Sequence, residues 1–204
     1  MNASSAYSAM LGLNVPFIET RDAAALWRCS IDTANKTLKR LAEAGLIAPV
    51  RHGLWSTARK FDPHLLPDYL TAPYPSYLSL QTALYLRGMI SQIPEVVFVV
   101  SLARTERIRT TAGTFSIHHV TPSLLGGFDV LDSGIHLATA EKALVDLLYL
   151  STGRSRLFSR LPELELPRGF SRKTAYEWLA RIPSARAQKI ATDRFKRILA
   201  QLRE

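Results

Sequence analysis

"SIDTANKTLKRLAEAGLIAPVRHGLW", Ser30 to Trp55, decides how the first part of this sequence folds. Ser30 is a helix-capping residue type ahead of a run whose apolar positions recur at helical spacing. Ile31, Ala34, Leu38, Leu41 and Ala42 form one stripe, which predicts an amphipathic helix with that stripe buried. Gly45 supplies the left-handed residue that ends such a helix. "LIAPV" and "LWSTA" read as two short strands around the basic turn "RHG". Upstream, Thr20 stands as a cap before "RDAAALW", an alanine-rich helix ending about three residues before Ile31. Two helices on a short turn, followed by a basic hairpin, are the order of a winged helix-turn-helix.

The opposite face of the second helix carries Asp32, Thr33, Asn35, Lys36, Lys39 and Arg40. A helix that reads DNA presents short polar side chains to base edges and long cations to phosphates. Thr33 and Asn35 are placed for bases, and Lys36, Lys39 and Arg40 for phosphates, with Lys36 also in reach of a base. Asp32 complements the helix N-terminus and is suited to accept from cytosine. Arg51 and His52 stand where a wing touches the flanking minor groove or backbone, and Arg21 and Arg28 add cations from the preceding helix. Two other readings stay open. Cations on a helix are commonly a solvated face, and winged helices also serve as protein-binding modules.

The 204 residues have a formal net charge of +9, which suggests a polyanionic partner. The charge is unevenly spread: net +4 over residues 1–60, −3 over 61–150 and +8 over 151–204. A single cysteine, Cys29, excludes an intramolecular disulfide and a cysteine metal cluster, and fits a reducing cytoplasm. "MNASSAYSAMLGLNVP" lacks the charged start and apolar core of a signal peptide. The most apolar run, "IPEVVFVVSLA", is far shorter than the ~18 residues of a membrane span and reads as a buried strand. The expectation is a cytoplasmic protein with no membrane partner.

A passage with Pro63, Pro67, Pro73 and Pro75 marks a domain boundary near residues 60–75, giving domains 1–62 and 63–204. Beyond it, "SLQTALYLRG" reads as a helix with Ser79 as its cap. "EVVFVVSL", "RIRTTAG", "TFSIHHV" and "FDVLDSGIHLA" read as strands, and "TAEKALVDLLYLS" as a helix capped by Thr139. Residues 151–204 read as helical, with Ala187, Ile190, Ala191, Phe195, Ile198, Leu199 and Leu202 on one stripe. Arg186, Lys189, Lys196, Arg197 and Arg203 lie mostly away from it, as a face for a partner protein or nucleic acid. The fold class expected is α+β: an N-terminal winged helix-turn-helix, a mixed α/β domain and a helical C-terminal region.

Motifs of catalysis do not stand out. Gly126-Gly127 is an isolated pair with the character of a turn, and no phosphate-cradling loop, nucleophile elbow or zinc-protease helix is present. His118 and His119 are adjacent in a strand and point to opposite faces, a poor arrangement for a shared metal. Glu141 and Asp146 are five apart on a helix and do not make an acid–base pair. The sequence predicts no enzyme, no metal and no cofactor.

Two further stretches, with the N-terminal segment, carry a resemblance. "YPSYLSLQTALYLRGMISQIP" holds Tyr77, Ser79, Ala83, Leu84, Gly88, Gln92 and Pro94 in order. "IHLATAEKALVDLLYL" holds Thr139, Glu141, Lys142, Ala143, Leu144 and Asp146. Together they resemble the AbiEi family, antitoxins and transcriptional autoregulators of bacterial abortive-infection toxin–antitoxin systems, over about residues 15–150. The sequence departs at Ala140, where the family usually has proline, and at Arg87, where it often has histidine. The resemblance implies a winged helix that represses its own operon at inverted repeats in double-stranded DNA. It also implies a larger domain that counters a nucleotidyltransferase-like toxin, commonly without a stable complex. Glu141 and Lys142 are expected to form a local ion pair or a domain-bracing contact rather than an active site.

Overall fold

The computed structural model describes residues 2–153 and 163–201, which form a mixed α+β fold of eight α-helices and two sheets among the described residues. The N-terminal third contains α1 (Ala3–Leu11), β1 (Phe17–Glu19), α2 (Thr20–Leu26), α3 (Ile31–Glu43), β2 (Ala48–Arg51) and β3 (Leu54–Ser56). The Ser30 hydroxyl accepts from the Thr33 amide at 3.2 Å and so caps α3, and Gly45, at φ 71°, follows its end. The three strands form an antiparallel sheet in the order β1-β3-β2, with the turn at His52 and Gly53 joining β2 to β3.

One core lies under this unit. Ala34, Leu38 and Leu41 of α3 pack with Met10, Ile18, Ala23, Trp27, Ile47 and Trp55. Full burial of each leucine contributes about 2 kcal/mol. Two expectations need correction. Ile31 is not buried with that stripe: it is 61% exposed. Thr20 is not a cap: Glu19 holds that position without a side-chain bond. The Thr20 hydroxyl instead accepts from Trp55 Nε1 at 3.0 Å and donates to the Gly53 carbonyl at 3.4 Å, tying α2 to the hairpin.

The proline-marked passage is folded rather than extended. It forms a 3-10 turn (Pro63–Leu65) and α4 (Pro67–Thr71), and buries Leu66 and Leu70. Next come β4 (Ser76–Leu78), α5 (Leu80–Leu86), β5 (Val97–Ser101), β6 (Glu106–Thr110), β7 (Gly113–His119), β8 (Phe128–Val130), β9 (His136–Ala138) and α6 (Ala140–Leu150). The six strands order as β6-β7-β5-β4-β9-β8; β5/β7 and β4/β9 are parallel and the other pairs antiparallel. α6 packs on α5 and carries α7 (Arg172–Ala180) and α8 (Ala185–Gln201) on its other sides. The expected α8 stripe holds in part: Ala191, Phe195, Ile198 and Leu199 are buried, whereas Ala187 and Ile190, in the first turns, are half-buried. Leu202 and Arg203 lie outside the described residues.

The two sheets are joined. Thr111 donates through its amide to Val50 O at 2.9 Å and through its hydroxyl to Pro49 O at 2.6 Å. Phe17 of β1 meets Phe61 and Tyr69 edge-on, so this face of the small sheet belongs to the larger core.

Candidate nucleic-acid interface

α3 turns one side to its core and leaves the other in water. Asp32, Thr33, Lys36, Lys39 and Arg40 are exposed and Asn35 is half-buried. The Thr33 hydroxyl lies 2.9 Å from that of Ser30, and Arg40 donates to the Thr37 hydroxyl at 3.3 Å, which holds its guanidinium near the helix. Arg51, at the end of β2, and His52, in the turn, are exposed as well. Among the described residues no carboxylate forms an ion pair with Arg28, Lys36, Lys39, Arg40 or Arg51. Arg21 differs: its Nε lies 2.6 Å from Glu19 and 3.8 Å from Asp22, so its charge is already neutralised locally.

The hairpin turn comes back against the start of α3. Glu19, Thr20, Arg21, Ile31, Asp32, Asn35, His52 and Gly53 line one shallow cleft of about 380 Å3. The fold thus brings Asp32, Asn35 and His52 together, along with Ile31, which sequence periodicity had assigned to the interior. Arg28 sits in the turn between α2 and α3 with φ 51°, a left-handed conformation that favours glycine. An exposed arginine there carries backbone strain that a glycine would not.

Arg186, Lys189, Lys196 and Arg197 are all exposed on α8, away from that cleft. Arg194 on the same helix turns inward, donating to the Ser151 carbonyl at 2.9 Å and to its hydroxyl, and so secures the C-terminus of α6.

The residues of the two motif stretches converge elsewhere, in a sealed polar cluster. Lys142 and Asp146 have no exposed surface, and Lys142 Nζ is bonded to Asp146 Oδ1 one helical turn away. Lys142 also donates to the Tyr77 hydroxyl at 2.7 Å. Tyr77 and Ser79 donate to Asp146 Oδ2 at 3.0 and 2.8 Å. Ser79 holds the N-cap position of α5, as expected, but makes no side-chain capping bond there because its hydroxyl is spent on Asp146. Of the two contacts expected of Glu141 and Lys142, the local ion pair is not formed. Adjacent helix positions face apart, and Glu141 reaches α7, accepting from the Ser171 amide at 2.7 Å. Glu141 thus braces the C-terminal helices.

Trp178 of α7 covers this cluster. Lys142 Nζ lies 5.0 Å from its ring and Arg181 lies 4.2 Å from it. The close fit depends on Gly127, at φ 71°, where a Cβ would stand 2.6 Å from the indole. Burial pushes Lys142 below the ordinary lysine range, with Arg181 acting the same way against the pull of Asp146. Burial, with the Asp146 charge, pushes Tyr77 above the ordinary tyrosine range. The cluster is internally bonded and closed to solvent, which suits bracing rather than chemistry on a ligand.

Arg87 fills its departure from the resembled pattern structurally. It donates to the carbonyls of Ala138 at 2.9 Å and Leu137 at 3.2 Å, and to Asp129 at 2.5 Å, lacing α5 to β9 and β8. On β7, His118 is buried and lies 2.9 Å from the Ser116 hydroxyl, whereas His119 is exposed. Among the described residues no three metal-ligating side chains gather, and no helix is long and apolar enough to cross a membrane. In comparison with known proteins, no protein-family model matches this chain, and no curated protein matches it either.

Proposed function

We propose that this chain is a DNA-binding transcriptional autorepressor of the AbiEi antitoxin type. Residues 1–62 act as its winged helix-turn-helix and the remainder as its antitoxin domain. The carrying observation is the exposed face of α3, where Lys36, Lys39 and Arg40 stand without carboxylate partners, on a helix whose start meets the hairpin turn that follows the exposed Arg51 and holds His52. Long cations flanking short polar side chains are what a duplex needs, phosphates for register and base edges for sequence. Arg28, Lys36, Lys39, Arg40 and Arg51 bind phosphate, while Asp32, Thr33 and Asn35 face bases and His52 lies against the flanking groove. The operator is an inverted repeat, read by two chains. The toxin countered is nucleotidyltransferase-like, as the resemblance implies.

The test is a gel-shift titration with the DNA upstream of the protein's own coding sequence. Replacing Lys36, Lys39 and Arg40 together by alanine is expected to weaken binding strongly, so that the shift needs much more protein. Undiminished binding by this variant would remove α3 from the interface. A second reading rests on α8, whose exposed Arg186, Lys189, Lys196 and Arg197 suit an acidic protein partner, with the α3 face secondary. Reversing those four charges separates the two. Loss of toxin rescue with operator binding intact would place the antitoxin work on α8.

A further inference from the structure

Ile31 is the first residue of α3 and is 61% exposed, although its position belongs to the apolar stripe. Single exposed apolar residues are ordinary on protein surfaces. Ile31 is set apart by where it stands. It lines the cleft between α3 and the hairpin turn, with Asp32, Asn35 and His52 around it. Asn35 follows it by four positions and so shares its side of the helix, about 6 Å away.

The charges lining the cleft select what can enter. Glu19 and Arg21 on its wall neutralise each other, which leaves the Asp32 carboxylate as the net charge of the lining. Such a wall disfavours a phosphate. The unpaired cations, Lys36, Lys39 and Arg40, stand outside the cleft on the exposed face of α3. A duplex held by those cations therefore offers the cleft a base edge. In the major groove only one base edge carries an apolar group, the C5-methyl of thymine.

We propose that Ile31 is a specificity-determining residue that packs on a thymine methyl, with Asn35 hydrogen-bonded to an adenine in a neighbouring base pair. The inference rests on the DNA-reading role of α3 and adds which base that helix selects. The contact removes one methyl group from water, worth about four-fold in affinity.

The experiment uses the full chain and double-stranded DNA. A preferred duplex is first selected from a random pool, and its thymines are then replaced one at a time by deoxyuridine, which removes the methyl and nothing else. One replacement per half-site is expected to weaken binding about four-fold. Ile31→Ala is expected to bind dT and dU at that position equally, with an unchanged salt dependence because no charge is lost, whereas Ile31→Val keeps part of the preference. If no deoxyuridine position matters, or if the loss persists undiminished in Ile31→Ala, the inference is overturned while DNA reading by α3 stands. If the wild-type protein selects no sequence and binds no duplex in a salt-dependent way, DNA reading itself fails and the inference with it.

Discussion

Changing Asp146 to asparagine removes a charge from the sealed cluster and almost nothing else. Lys142 would keep the Tyr77 hydroxyl at 2.7 Å and two aromatic rings at about 5 Å, but no anion. An ion left unpaired in the interior costs about 3–5 kcal/mol. A ceiling follows from proton loss: neutralising a lysine at neutral pH costs about 5 kcal/mol from its ordinary pKa. Asp146→Asn should therefore lose about 4 kcal/mol, which lowers a urea midpoint by about 2 M if m is about 2 kcal/mol/M. Adding Lys142→Met removes the stranded charge and should restore about 2 kcal/mol or more. The sign with pH is also set. Lys142 has a folded pKa below its unfolded value, so the folded chain binds fewer protons in the window beneath lysine's ordinary pKa. Asp146 holds the Lys142 pKa up, so its loss lowers the folded value further, and the deficit of Asp146→Asn should shrink as pH rises from neutral toward lysine's ordinary value. Urea titrations followed by circular dichroism read all three. A loss under about 1 kcal/mol, or a double variant less stable than the single, refutes the buried pair.

Three other outcomes are expected. Burial lowers His118 to about 4, beneath its ordinary value, so protonation favours the unfolded chain; stability is fully present above about pH 6.5 and falls by up to about 3 kcal/mol as pH drops to 4. His118→Gln should flatten that limb in pH-dependent urea titrations. Arg28→Gly relieves a left-handed arginine and should leave stability unchanged or raise it by up to about 1 kcal/mol, while lowering the salt slope of DNA binding by about 1; a thermal melt and an anisotropy titration should move independently. Gly127→Ala drives a methyl into the Trp178 ring and should cost about 1–3 kcal/mol, read as a lower melting temperature.

The elements that sequence made legible were those with a cap, a period and a stop. α3 has all three in Ser30, its apolar spacing and Gly45. β1 and β4 went unread because each is three residues long and runs directly into a helix start, β1 into α2 and β4 through Ser79 into α5, with no turn residues to mark its end. Ile31 was misplaced for a geometric reason. A helical side chain covers the turn N-terminal to its own Cα, and the first residue of a helix has no such turn beneath it. Its angular position matched the buried stripe, yet its side chain reaches into the cleft toward the hairpin. The exposed cations of α3 were readable directly, since periodicity separates the two faces of one helix. The sealed cluster was readable only in part. Lys142 and Asp146 stand one turn apart, but their bonds to Tyr77 and Ser79 span more than 60 residues and arise from β4 lying beside β9, ahead of α6. Local spacing carries no trace of such a pairing.

Salt dependence tests the central claim, that the α3 face binds duplex DNA. Arg28, Lys36, Lys39, Arg40 and Arg51 provide five phosphate contacts per chain if all engage, for a slope of log K against log salt of about −4.5 when one chain binds a duplex carrying a single half-site. The Lys36/Lys39/Arg40 triple alanine variant should keep about −1.8. A wild-type slope near zero, or the same slope for both proteins, would contradict the assignment of α3 to DNA.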